Sequence, residues 1–472
     1  MNKNIFFKIS FVLISIISIV LTITNEGTGG NGDSVLHYLY ARYSWVDTQL
    51  FFNHWAKPFF TFVSSIFAQF GFMGIKLMNV VISLFTIYLS YLCARELKFK
   101  YAHLIFIPLY FSPIYFEVMY SGLTEPLSAL LIISFLYLWL KKYEWSALLL
   151  ISFLPFVRSE GLVVLIVVLF FLLWKKRFLL LPSLLFGHLA VAIAGWVYYK
   201  DLLWVVNKIP YATMSSVYGQ GNYTHFFNQL YFCLGLLTYI FLIIGFLNQV
   251  ISYLFKRDNK QYADERFFLV SGIFAAFFTA HTLFWALGIF NSMGLTRVFV
   301  TVLPLVALTV IYAFEIIAVR FKKASTILFP EVISVLIIIL SFSNNKSSIN
   351  YKKNLSLDES QQLLKNKVVP YLKENYPTRI YLSADPSLAL FSNRNYFDDN
   401  EFLSLYDFDL KNITDTNIVF IYDPWFAKTE ARISIEDAMR YNNIEIDTVF
   451  KTESQNTEKL EYVIFKKSNS IK

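Results

Sequence analysis

Charged side chains are scarce in this chain. Lys, Arg, Asp and Glu make up 16% of its 472 residues, against roughly a quarter in a soluble globular domain. Cysteine is scarcer still. Two cysteines cannot build a disulfide framework, and Cys93 and Cys233 both fall in apolar runs, where they read as buried hydrophobes. No His/Cys cluster with metal-ligand spacing is present, which argues against a zinc hydrolase. The chain has no P-loop or glycine-rich nucleotide motif, which disfavours a nucleotide-driven pump. It has no internal repeat, so nothing supports a transporter built from inverted halves. The net charge of +8 raises nucleic acid as a partner, but the cations form no groove-binding patch. They punctuate the ends of apolar segments, the pattern of membrane topology.

What the chain does have is apolar and aromatic residues: 56% are hydrophobic, with 49 Phe and 30 Tyr, and the mean hydropathy is +0.51. That profile implies a mainly α, polytopic helical membrane protein. A helix needs about 20 apolar residues to cross the hydrocarbon core. Suitable runs lie near 5–24, 77–94, 102–118, 124–140, 178–199, 226–255, 267–290, 296–319 and 324–343. Two shorter runs, 146–157 and 161–174, flank Phe156-Val157-Arg158-Ser159-Glu160-Gly161. Read as two short helices they bring the expectation to about eleven spans by this length rule. One long helix there would carry two charges through lipid at high cost. With the N-terminus cytoplasmic, this register puts 17 cations in inner loops, from Lys3 to Lys323, and 7 outside: Arg42, Lys57, Lys76, Arg158, Lys200, Lys208 and Arg297. The inward bias supports it. The first run reads as a retained anchor, because Asn25-Glu26-Gly27 is not a small-x-small cleavage site.

Composition changes after Ser343. Residues 344–472 carry 17 Lys/Arg and 19 Asp/Glu, which implies a soluble α/β domain outside the cytoplasm, following a transmembrane domain over 1–343. Ser356-Leu357-Asp358-Glu359 looks like a capping box opening a helix that ends before Pro377. Arg379–Ser383, Asn417–Tyr422, Asp447–Lys451 and Tyr462–Lys466 read as strands. Asp385-Pro386 and Asp423-Pro424 follow two of them, where they either start turns or sit at the ligand-binding edge of a sheet.

Several outer-side residues are candidates for chemistry, most of them with a structural alternative. Asp33, in the loop 25–76 after the first span, is either a partly desolvated base or an N-cap for a helix over Ser34–Tyr43. Glu125 in Thr124-Glu125-Pro126 is either a first-turn acid behind a Thr124 cap or a second carboxylate facing Asp33. Arg158 and Glu160 either serve a site or simply pair with each other. Lys57 and Arg297 provide two cations at headgroup level for an anionic lipid or phosphate, unless they snorkel. Tyr211, Tyr218 and Tyr223 form a membrane belt or a stacking surface for sugar rings.

In order along the chain, these motifs resemble the polytopic glycosyltransferases of the GT-C fold. The resemblance is to the family 39-like group that includes protein O-mannosyltransferases and the lipid A aminoarabinose transferase. It rests on Gly32-Asp33-Ser34 through Tyr40-Ala41-Arg42, on His54-Trp55-Ala56-Lys57-Pro58-Phe59 followed by Phe70-Gly71, on Thr124-Glu125-Pro126, on Arg158-Ser159-Glu160-Gly161 and on Arg297. It covers about residues 1–320. The family often has two adjacent acids in the first loop, whereas here Ser34 follows Asp33, so no acidic pair is available to hold a metal. The resemblance implies a polyprenyl-phosphate-linked sugar as donor and a lipid, glycan or protein acceptor, with no cofactor and no obligatory divalent ion expected; nucleic acid is set aside on the cation distribution above. It implies Asp33 and Glu125 as catalytic residues, with Lys57, Arg297 and Arg158 on the donor phosphate. His54, Glu160 and Tyr218 would position substrate, in a multi-pass protein of the plasma (inner) membrane. The rival readings are a flippase or exporter of lipid-linked glycans and a polysaccharide polymerase or ligase. The first would need charge spread through many spans, and the second usually shows a larger outer loop than 200–225.

Overall fold

The computed structural model describes residues 2–29, 31–212, 214–255, 262–320, 329–343, 345–410, 413, 417–423, 425–440, 444–452 and 461–468. Pro424, the cations Lys256, Arg257, Lys260, Lys322 and Lys323 of the expected inner loops, and the start of the expected run 324–343 lie outside them.

Among the described residues six helices are long and apolar enough to cross a membrane: Lys3–Thr24 (α1), Phe72–Glu96, Phe178–Tyr199, Leu236–Leu254, Glu265–Ala286 and Thr296–Val319. Two shorter helices precede Phe72–Glu96: Asn31–Tyr43 (α2) and Pro58–Ala68 (α3); Phe72–Glu96 is therefore α4. The run 102–118 is a bent pair, Ala102–Tyr110 and Pro113–Met119, which meet at 73° and make a seventh span if counted as one. Four other expected runs hold apolar helices below full length: Glu125–Leu140, Glu144–Phe156, Gly161–Trp174 and Phe329–Ser341. The run 226–255 is not one helix. It breaks at Gly235, whose φ of 78° lies in the left-handed region that favours glycine.

Burial follows helical period. On α1 only Phe7, Ile14, Ser18 and Thr22 are buried, and the opposite face exposes Ile5, Ile9, Val12, Leu13 and Ile16. An apolar face without protein cover is what lipid contact requires. By contrast α4 is mostly buried and forms the frame. Near its start Lys76 Nζ donates to the carbonyls of Asn25 and Gly27, at 2.5 and 3.2 Å. One turn on, Asn79 Nδ2 donates to Ser121 and Leu123, at 2.7 and 2.9 Å. Buried polar groups need such partners, and here they fix both loops that carry the candidate acids.

The tail builds a five-stranded sheet in the order β2-β1-β3-β5-β4. The strands are Ile380–Ser383 (β1), Phe402–Ser404 (β2), Ile418–Tyr422 (β3), Ile444–Lys451 (β4) and Glu461–Lys467 (β5). β1 runs parallel to β2 and β3, whereas β5 is antiparallel to β3 and β4. Four strands fall where the alternation of apolar residues puts them; β2 was not expected. The helix before the sheet is capped by Asp358, which accepts from Gln361 N–H at 2.8 Å, and not by Ser356. Asp385 caps the helix Pro386–Ser392 through Ser387 N–H at 2.8 Å. Asp423 accepts from the N–H groups of Trp425, Phe426 and Ala427. The turn-forming reading of both acids therefore holds. The tail docks directly on α2: Tyr43 Oη donates to Arg394 O at 3.1 Å, and a Cβ on Gly32 would meet the Phe426 ring at 2.6 Å.

Candidate active site

Asp33, Glu125, Arg158 and Arg297 are brought together by local rules. α2 begins at Asn31, so Asp33 lies in its first turn and does not precede the helix as an N-cap would. A carboxylate in that turn suits the helix dipole. The next residue, Ser34, is fully buried. Its Oγ donates to Thr28 O and accepts from Gly122 N–H, both at 2.6 Å. A Cβ on Gly122 would lie 2.5 Å from Ser34 O, so only glycine allows this approach. The 120–124 loop is thereby clamped between Ser34 and Asn79. It delivers Glu125 to the start of the Glu125–Leu140 helix, beneath α2.

A chain of alternating charge results. The Arg297 guanidinium pairs with Asp33, and its Nε lies 3.4 Å from Glu125 Oε1. Arg158 Nη1 is 2.6 Å from the same Glu125 oxygen, and Nη2 is 2.9 Å from Glu160 Oε1. Arg158 Nη1 also donates to Thr124 Oγ1 at 3.2 Å, so Thr124 serves the arginine and makes no cap hydrogen bond. Lys57 stands apart from the pairs. Its Nζ donates to Ser159 Oγ at 2.8 Å and to His54 O at 3.2 Å. Among the described residues no carboxylate reaches it within ion-pair distance. Its backbone is strained, with φ 69° immediately before Pro58. Three acids thus face three cations, with the Lys57 charge unmatched by direct contact.

The electrostatics follow. Burial opposes ionisation of Asp33, but Arg297, with His37 and Arg158 behind it, holds the carboxyl below its ordinary range. Burial likewise opposes ionisation of Glu160, and Arg158 overcomes it, bringing Glu160 down to about 2. For Lys57 burial dominates: the ammonium is pushed down to about 8, with Glu160 offsetting part of the loss. His37 is kept neutral by burial, at about 3, despite Asp33 one turn away. Clustered, strongly shifted groups in a cleft are the pattern of a candidate functional site.

All six charged groups line one cavity of about 460 Å³, together with Tyr218, His37 and His281. Three expectations change. Glu125 does not face Asp33, because Arg297 lies between them; its side chain is fully buried behind the two guanidinium groups. Arg158 and Glu160 pair with each other as the structural alternative held, yet both still line the cavity. His54 is not at the site. It is buried, with Nε2–H donating to Val205 O at 3.0 Å and its ring against Trp204, and only its carbonyl serves Lys57. Tyr218 reaches the tail, its Oη donating to Glu430 Oε1 at 3.1 Å. His37 and Ser159 were not singled out from the sequence. His37 lies four residues after Asp33, hence on the same helix face, and its ring stacks on Trp55 at 4.8 Å. Among the described residues no group of three or more His, Cys, Asp or Glu is placed to hold a metal ion.

A second cavity, of about 760 Å³, adjoins the first and shares Asp33, Trp55, Tyr211 and Tyr218 with it. A buried cluster of cations beside an acid that opens on both spaces is suited to binding a phosphate and to taking a proton from a neighbouring hydroxyl.

No protein-family model and no curated protein matches the sequence. Solved structures do match. ArnT from Cupriavidus metallidurans bound to undecaprenyl phosphate superposes with a TM-score of 0.59 at 10% identity, over 96% of this chain and 97% of that one. The Archaeoglobus fulgidus oligosaccharyltransferase tethered with an acceptor peptide gives 0.54 at 12% identity, over 98% of this chain and 74% of that one. The chain has the GT-C fold that these membrane proteins share.

Proposed function

We propose that this chain is a membrane glycosyltransferase that moves a sugar from a polyprenyl phosphate to an acceptor hydroxyl at the outer face of the plasma (inner) membrane. The observation that carries the reading is the convergence of Lys57, Arg158 and Arg297 with Asp33 on one cavity. The fold shared with a protein holding undecaprenyl phosphate supports a lipid-phosphate donor, and the inward cation bias supports a cytoplasmic N-terminus. The acceptor oxygen attacks the anomeric carbon while the bond from that carbon to the phosphate oxygen breaks. The bonding electrons leave with the phosphate, the hydroxyl proton passes to Asp33, and a single displacement inverts the anomeric centre. Phosphate leaves without a general acid when cations stabilise it, the role of Lys57, Arg297 and Arg158. Side chains supply that charge, so the reaction calls for no obligatory divalent ion.

The resting pair matters to this scheme. Asp33 is a weak base while Arg297 holds it. An arriving phosphate offers Arg297 a competing anion, and a guanidinium drawn toward it restores the basicity of Asp33. Glu125 is then a positioning residue that holds both arginines, as Glu160 holds Arg158. The test uses full-length protein in nanodiscs with an undecaprenyl-phosphate sugar, following release of the lipid phosphate. Lys57→Ala raises the Kd for undecaprenyl phosphate by about tenfold or more, the scale of one lost charge-assisted contact. Asp33→Asn frees Arg297 and so binds the lipid phosphate at least as tightly, while kcat falls by about 10²–10⁴. Full transfer by Asp33→Asn would remove the proposed base, and unchanged lipid affinity in Lys57→Ala would remove the phosphate site.

A further inference from the structure

We infer that the 760 Å³ chamber between α2 and the tail is the acceptor site, and that it takes an uncharged or amino-bearing saccharide in preference to a phosphorylated or uronate one. The inference rests on the transfer reading above and names the substrate class of its second half. The chamber is the right kind of space: its volume falls in the range of small-ligand sites. It also meets the donor cavity at the side chain assigned as base, since Asp33 borders both.

Charge is partitioned between the two spaces. The donor cavity holds Lys57, Arg158 and Arg297. Among the described residues no Lys or Arg lines the chamber, whose wall carries Asp47, Asp399, Asp407 and Glu430 beside Asp33. Asp33 is matched by Arg297; among the described residues the other four form no ion pair. Every anion entering the chamber meets that uncompensated charge, whereas carboxylates accept hydrogen bonds from hydroxyl and ammonium groups. The remaining wall is aromatic, with Trp55, Tyr211, Tyr218, Tyr396 and Phe426 among its residues. Flat rings present apolar faces to the C–H face of a pyranose at small entropic cost. Glu430 orders two of these rings: Tyr218 and Tyr406 donate to its two oxygens at 3.1 and 2.8 Å. One tyrosine comes from the membrane part and the other from the tail, so the tail helps to shape the chamber.

The experiment measures binding of three uniform tetrasaccharides to the full-length protein in nanodiscs at pH 7: N-acetylglucosamine (neutral), glucosamine (cationic) and galacturonate (anionic). The first two are expected to bind, with galacturonate at least about tenfold weaker than the neutral probe, because like charges act mainly against the wrong ligand. The double variant Asp399→Asn with Asp407→Asn should narrow that gap to about threefold or less by the same electrostatics. Equal or tighter galacturonate binding by the wild type, no saccharide binding at all, or an unchanged gap in the variant would each overturn the inference. Undecaprenyl phosphate affinity, measured in the same preparations, separates the two readings. If it is absent while the saccharides are still discriminated, the transfer reading fails and the chamber stands as a saccharide site but not as an acceptor site. If it is intact without discrimination, only the chamber fails.

Discussion

Lys57 carries a consequence in pH. On the proposed reading the ammonium holds the phosphate, and burial lowers this group from its usual 10.5 to about 8. Affinity for undecaprenyl phosphate is therefore expected to fall as pH rises through about 8, approaching tenfold per pH unit above it. Lys57→Arg, whose guanidinium stays charged, should flatten the profile. Stability moves the other way. The folded pKa lies below the unfolded one, so the folded state binds fewer protons, and Lys57 costs stability fully below about 8. That cost is relieved as pH rises toward 10.5. Titrating lipid binding and thermal unfolding of one preparation checks both signs. A flat wild-type binding curve would place Lys57 away from the phosphate.

At the scale of elements, the site depends on two clamps, Ser34 and Asn79, that hold the loop delivering Glu125. Ser34→Ala deletes a buried donor and strands the Gly122 N–H without its acceptor. A loss of about 2 kcal/mol is expected from one lost bond and one unsatisfied group. It is read as a lower apparent unfolding midpoint in detergent; an unchanged midpoint would deny Ser34 this role. Much of the candidate site's lining was legible because charge is rare in the sequence: each charge in an expected outer loop stood out against an apolar background, and Asp33, Lys57, Arg158, Glu160 and Arg297 all line the cavity. Orientation was not legible. His54 precedes Lys57 by three residues yet its ring points into a core with Trp204, because loop composition does not encode side-chain direction. His37 went unmarked although it shares a helix face with Asp33. The length rule met its limit at Gly235, where hydropathy continues but the backbone turns. β2 was missed because a three-residue edge strand is too short to show a period.

For the molecule as a whole, the contact between α2 and the tail is as consequential as any side chain in the cavity. Gly32 permits it, since any larger residue would meet the Phe426 ring. Gly32→Leu is expected to push the tail outward, to make residues 344–472 more sensitive to protease and to lower transfer at least about tenfold, as small displacements of positioned groups do. Binding of undecaprenyl phosphate, which the proposal assigns to the opposite wall, should change little. Protease resistance equal to wild type would mean that the two parts do not bear on each other there. The resting structure also divides labour between stretches of sequence. Lys57, Ser159 and Arg297 all precede residue 344, whereas Asp399, Tyr406, Asp407 and Glu430 all follow it. On the proposed transfer reading, a change confined to the last quarter of the chain is expected to retune which recipient is glycosylated while leaving the carrier and the bond-making step as they are. A graft of one tail onto another membrane part would carry its taste in recipients with it.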